Sequence, residues 1–332
     1  MSTRNVFTAL AQHFYMNRQI ALAVLVAVPL LAADPPDTSH TLSMTAPTLG
    51  FLFDDGTKAI RPITGVPGAA GLGAPLSFDS SFQRAWVSSA GKLAIGITKD
   101  GQVAVATWTS TPRLTTLATS LGTLREVAFN GSGTQAVLSD GAAAEVWSSL
   151  KNAPVSSGRL HPDAGIAAVA INNAGIVAVA TPSGLVLRFA LAGGEYEAQA
   201  IATGGSWTAL AFAPGSEDIL AADGNELVRL TSAGGRSVLA GLGSAPKALV
   251  VSLDGTQVAA ALGRDLLLVR EGGTLKSLSC DCEARSLEAL QGNLVARVVS
   301  LDGSIRLLDA DAGQPRVSTL SNLSEIPGGS AQ

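Results

Sequence analysis

Little in this chain can ionise. Of its 332 residues 14% are charged and 5% aromatic, and it holds three histidines and two cysteines. Each shortage closes off a class of function. A Ser-His-Asp or Cys-His site needs an imidazole beside its nucleophile. Beyond the N-terminal segment only His40 and His161 remain, both in polar linkers. Gly-x-Ser-x-Gly, a glycine-rich phosphate loop and His-Glu-x-x-His are all missing. No catalytic residue, metal ligand or cofactor is therefore expected, and the balance leans away from an enzyme. Arg4 and Arg18 are the only charged residues before Asp34, which leaves 20 basic against 26 acidic residues in the remainder. A nucleic-acid partner requires a basic stripe, and none is present.

Long apolar runs are also scarce. One stands out, Ile20–Leu31, behind Met16-Asn17-Arg18 and followed by Ala32-Ala33 and the polar Asp34-Pro-Pro-Asp37. A basic start, a 12-residue apolar core and small residues before a polar flank read as a secretory signal peptide over residues 1–33, with Met16 an alternative start. The run falls short of the roughly 20 residues of a membrane span, so a retained anchor is the second reading. No cysteine ends the run, which argues against a lipoprotein anchor. The expected location is extracytoplasmic, periplasmic or secreted. Residues 34–44 read as a polar lead-in and 323–332 as a flexible tail.

What the chain does have is glycine, 36 residues of it, and a repeat. The stretch Ala209–Thr231 holds three short apolar runs separated by Pro214-Gly215-Ser216 and Asp223-Gly224-Asn225. Runs of four to six residues closed by such turns suit antiparallel strands. The end of the first run recurs at Val87, Phe129, Ile171, Phe212, Val251 and Leu290, spaced 42, 42, 41, 39 and 39 residues apart. A first turn follows each at Gly91, Gly133, Gly175, Gly215, Gly255 and Gly292, and a second at Gly101, Gly141, Gly184, Gly224, Gly263 and Gly303. Third runs recur behind the second turns, and a weaker fourth segment, such as Arg236–Leu239 or Arg316–Leu320, precedes the next copy. Four strands in about 40 residues match a propeller blade.

Across residues 45–322 the chain resembles the WD-repeat-like and YVTN-like β-propeller superfamily. The first-turn glycine, the Asp-Gly second turn, and third strands ending Val-Trp147-Ser or Leu-Leu-Asp309 carry the resemblance. Gly-His and Trp-Asp dipeptides are absent, so it implies architecture and no functional residue. The expected fold is all-β, a propeller of four-stranded antiparallel blades. Six regular copies and an N-terminal one give seven blades, with six the runner-up. The first copy, Leu49–Phe53, Lys58–Ile63 and Leu76–Phe78, looks like the unit with its first strand missing or degenerate. Ser321–Ile326 or Thr38–Met44 could complete it.

The remaining signals have plain readings. Cys280-Asp281-Cys282 lacks the four ligands of a structural zinc site and suits a local disulfide in an oxidising compartment. The Asp-Gly pairs lack EF-hand spacing and suit hairpin turns. Trp86, Trp108, Trp147 and Trp207 are expected between blades, where a large ring buries most area. Arg188, Arg229 and Arg306 should point to solvent or between blades. Asn130 and Asn322 match glycosylation acceptors, which bacterial-looking composition leaves unmodified. The expected role is a monomeric binding or scaffold module for a protein or envelope component, touching membrane only through an uncleaved signal. The alternative is a propeller hydrolase, lactonase-like, with its site in the central channel.

Overall fold

The computed structural model describes residues 46–322 apart from 110, 271, 273 and 274. The signal segment, the polar lead-in with His40 and Thr38–Met44, and the tail lie outside the described residues. Among the described residues twenty-eight strands make seven four-stranded sheets, so the first copy is a blade and the count is seven.

Blade 1 is β1 (Thr48–Asp54), β2 (Ala59–Thr64), β3 (Gly71–Leu72) and, from the far end of the chain, β28 (Ser321–Asn322). Blade 2 is β4 (Phe82–Val87), β5 (Leu93–Thr98), β6 (Val103–Thr107) and β7 (Arg113–Thr116). Blade 3 is β8 (Glu126–Phe129), β9 (Ala136–Ser139), β10 (Ala144–Ser148) and β11 (Val155–Leu160). Blade 4 is β12 (Ala168–Ile171), β13 (Val177–Ala180), β14 (Val186–Ala192) and β15 (Glu195–Ala202). Blade 5 is β16 (Trp207–Phe212), β17 (Ile219–Asp223), β18 (Glu226–Leu230) and β19 (Arg236–Gly241). Blade 6 is β20 (Ala248–Val251), β21 (Gln257–Ala261), β22 (Asp265–Arg270) and β23 (Leu275–Ser279). Blade 7 is β24 (Ala284–Ala289), β25 (Val295–Ser300), β26 (Ile305–Asp309) and β27 (Arg316–Thr319).

Strands buried on both faces read as unbroken apolar runs. Val177-Ala-Val-Ala180 is such a run, and every residue of β13 is buried. The outer strands carry the polar residues, as in the mostly exposed Glu195–Ala202. Seven apolar clusters fill the seven junctions between neighbouring blades, and the ring therefore closes on buried surface at every joint. The closing junction packs Leu52, Ile63 and Leu72 of blade 1 on Leu290, Val295 and Leu307 of blade 7. All twelve turn glycines named from the sequence have positive φ, between 56° and 126°.

Blade 1 is threaded differently from the rest. Elsewhere the first strand is innermost, and β8, β12, β16, β20 and β24 touch in succession around the axis. At the joint between blades 6 and 7, the Leu253 N–H, two residues past β20, donates to Asn293 O just ahead of β25 (2.9 Å). At the next joint the Gln291 N–H, two residues past β24, donates to Leu49 O at the start of β1 (2.9 Å). Arg297 of the second strand β25 also reaches Phe53 O of β1, at 2.9 Å. On the outer side Arg316, which opens the fourth strand β27, donates to Pro67 O just ahead of β3 (2.6 Å). So β1, β2 and β3 run in the senses of second, third and fourth strands. Among the described residues, blade 1 has no first strand, and Asp54-Asp55-Gly56 is its second-type turn.

Ser321–Asn322 supplies the fourth sheet position, pairing in parallel with β3 through Ser321–Gly71 and Asn322–Leu72. Only Leu320 separates it from β27, too little for a hairpin, so the chain runs on from blade 7 onto the outer edge of blade 1. Two expectations need correction. The third strand of the first copy is Gly71–Leu72, not Leu76–Phe78. The Gly73 N–H donates to Pro62 O (2.9 Å), so Pro62 turns its backbone toward β3 and presents a ring where a ladder donor would be. Leu76 still donates to Ile60 O (2.8 Å) but forms no strand. The last first-strand residue of blade 7 is Ala289, one before Leu290.

Candidate binding channel

The first strands surround a central channel, and their residue types decide what lines it. Three positions before the strand end, blades 4, 5 and 6 carry Ala168, Ala209 and Ala248. Small side chains there let neighbouring strands close up, and β12, β16 and β20 touch. Blades 2 and 3 carry Arg84 and Glu126 instead. Glu126 takes a hydrogen bond from the Val169 N–H of blade 4 and feels the charge of Arg84. The Arg84 guanidinium lies over the Trp86 ring, 4.4 Å from its centroid, and is held there by stacking while its head stays exposed. Burial pushes the Glu126 carboxyl up to about 7, against the opposing pull of the Val169 N–H and the Arg84 charge. The two blades therefore offer a prepositioned cation and a carboxyl poised near neutrality.

At the mouth formed by the first turns lies a cavity of about 250 Å³. Its wall includes Ser89 and Ala90 of blade 2, Gly131 of blade 3, Val250 and Leu253 of blade 6, and Leu290 of blade 7. Leu253 stands 69% exposed at the rim. The turns that frame it are fixed by side chain to backbone hydrogen bonds. Asp254 accepts from Thr256 N–H (2.9 Å), Ser252 Oγ (2.7 Å) and Asn293 Nδ2 (2.9 Å), contacts that hold its carboxyl down to about 2. Ser132 N–H donates to Asn173 Oδ1 in the next blade (3.0 Å). A smaller cleft of about 160 Å³ between blades 5 and 6 is lined by Leu220, Leu239, Val258, Arg229 and Arg270.

Few residues singled out in the sequence reach the channel. His161 is exposed beyond β11 and does not line the cavity. Cys280 and Cys282 are joined by a disulfide (Cα–Cα 4.9 Å) and buried in the joint between blades 6 and 7, with Asp281 at φ 48° between them. Trp108, Trp147 and Trp207 are buried between blades. Trp207 Nε1 donates to Gly184 O (3.0 Å) and Trp147 Nε1 to Glu145 (3.2 Å). Trp86 is half-buried and packs on the joint between blades 2 and 3, with Arg84 over its ring. Arg188 pairs with Glu217 (2.6 Å), Arg306 with Asp302 (3.3 Å), and Arg229 lies 4.0 Å from Asp218. Among the described residues no three His, Cys, Asp or Glu side chains gather as a metal would require. The sequence did contain a pointer to Arg84 and Glu126. They are charged residues at a repeat position that is alanine in blades 4, 5 and 6 and serine (Ser286) in blade 7.

No family model matches the chain. No curated protein matches it either. Solved structures do. A protein of unknown function from Desulfotomaculum acetoxidans superposes with a TM-score of 0.61 at 16% identity, over 82% of this chain and 99% of that one. The β-propeller domain of Cps50 (Swd1) from Myceliophteria thermophila gives 0.58 at 10% identity, over 74% and 87%. At such identities the likeness carries fold and nothing finer. Taken with the seven sheets and seven closed joints, it identifies the chain as a seven-bladed β-propeller.

Proposed function

We propose that this propeller is an extracytoplasmic binding module that receives an apolar group of a partner protein at the first-turn mouth of its channel. The supporting observation is the 250 Å³ recess beneath Leu253, whose framing turns are locked by Asp254 and Asn293. Rigid turns lose little entropy on association, which favours binding there. The chain tagged after Gln332 should retain one stoichiometric partner from the native envelope, and Leu253→Asp should abolish that capture without changing the unfolding temperature. Retention equal in both proteins, or no saturable partner, rejects the reading.

A hydrolytic role is the second reading, and Glu126 favours it, because a carboxyl near neutrality suits general acid–base work. Turnover of a lactone or ester that Glu126→Gln removes would displace the binding role.

A further inference from the structure

We propose that the cleft between blades 5 and 6 binds a small carboxylate with a short apolar tail, its head held by Arg229 and Arg270. The repeat gives the first reason, because it leaves this joint without a carboxylate that the preceding joint has.

Arg188 and Arg229 occupy one position in successive blades. The first strands of blades 4 and 5 end at Ile171 and Phe212, whose partners are Val177 and Ile219. Those residues pair in turn with Phe189 and Leu230 of the third strands, so Arg188 and Arg229, each one residue earlier, are equivalents. Arg188 is capped across its joint by Glu217, from the first turn of blade 5 (2.6 Å). Glu217 lies two residues before Ile219. In blade 6 the residue two before Val258, the partner of Val251, is Thr256. The joint between blades 5 and 6 thus keeps the guanidinium and carries a hydroxyl in place of its counter-charge. Asp218, in the first turn of Arg229's own blade, lies 4.0 Å from Arg229 Nε, beyond hydrogen-bond reach.

The second reason is the space itself. Arg229 and Thr256 line a cleft of about 160 Å³ where the capped pair would otherwise meet. Leu220, Val258 and Val269 make its apolar lining, none more than 5% exposed, and Leu220 lies directly opposite Arg229 across the ladder. Arg270, exposed at the end of β22, adds a second guanidinium from blade 6. Among the described residues the lining holds no carboxylate. Two cations over an apolar surface ask for an anion that carries hydrocarbon.

The third reason is fit. A guanidinium presents parallel N–H donors that match the two oxygens of a carboxylate, and Glu217 already shows that chemistry on Arg188. A tail laid on Leu220, Val258 and Val269 leaves water as the head is neutralised. The volume is below the roughly 300–1,000 Å³ of a drug-sized site, so the tail is a few carbons long.

A methyl-resolved NMR titration of the full chain with isovalerate tests the assignment. The methyls of Leu220, Val258 and Val269 should shift and saturate below about 10 mM, while those of Val177 and Val179 in blade 4 stay in place and report an intact ring. Isovaleramide has the shape without the charge, and acetate the charge without the tail. Each should bind roughly tenfold more weakly or worse. Thr256→Glu, at an exposed side chain, returns to this joint the carboxylate that Glu217 gives the preceding one and should abolish the shifts. Arg229→Gln should weaken them as much as loss of the ligand's charge does. Isovalerate binding that survives Thr256→Glu, isovaleramide binding of equal strength, or no saturable shift in the unaltered chain overturns the proposal.

Discussion

Glu126 and Glu145 are two carboxylates withdrawn from water in one blade, and their surroundings drive them apart. Burial raises both, but Glu145 accepts from Ser120 N–H (2.9 Å), Ser120 Oγ (2.6 Å) and Trp147 Nε1 (3.2 Å), and the sum holds it below the usual range. Glu126 has only the Val169 N–H and the Arg84 charge, and burial wins. A carboxyl raised from 4.5 to about 7 on folding keeps its proton where the unfolded chain has lost it. Its contribution to stability is whole below pH 4.5, falls as pH rises toward 7, and stays lost above. The loss is on the order of 2–3 kcal/mol. Glu126→Gln should therefore be near neutral at pH 4.5 and stabilising at pH 8. Urea midpoints of both proteins at the two pH values check this, and parallel midpoints would refute it.

At the scale of elements, the two recurring turns look alike in sequence and differ in their surroundings. Gly133 has φ 64°, and a Cβ there would meet Ala90 Cβ and Ser88 Oγ of the preceding blade at 2.8 Å each. Gly101 has φ 80° and nothing within 4 Å. Alanine at Gly101 should cost only the left-handed penalty, about 1–2 kcal/mol. Gly133→Ala should cost a further 1–3 kcal/mol or so, roughly, from overpacking at the joint. Equal losses in thermal unfolding would show that the blades yield at that contact.

The turns also explain how much could be read beforehand. Five of the six first-strand ends, twelve glycines and the missing strand of the first copy were legible, because a hairpin imposes its chemistry on adjacent residues. The third strand of blade 1 was not, since Leu76–Phe78 is more apolar than Gly71–Leu72 and only the orientation of Pro62 decides between them. The influence of Arg84 on Glu126 was not, because it joins two blades and depends on how they pack.

At the scale of the whole molecule, closure rests on few groups. Blade 1 is tied to blade 7 by the packing of Leu52 on Leu290, by Gln291 N–H donating to Leu49 O, by Arg297 donating to Phe53 O, and by Arg316 donating to Pro67 O. β28 adds two residues of pairing. Ending the chain after Leu320 removes that pairing and should cost about 1–3 kcal/mol, from a few hydrogen bonds at roughly 1 kcal/mol each. Calorimetry should show a single transition at lower temperature. An unchanged midpoint would mean that the side-chain ties alone hold the ring.

The run from β27 through Leu320 into β28 has a mechanical consequence. An open array of repeats frays from either terminus, one unit at a time. Here both described ends of the chain lie in the same sheet, so no blade is terminal and none can peel away by itself. Heat, a protease or a pulling force must first open a single seam, between the edge strand and the blade it clasps. Every other joint becomes vulnerable only after that one has given way.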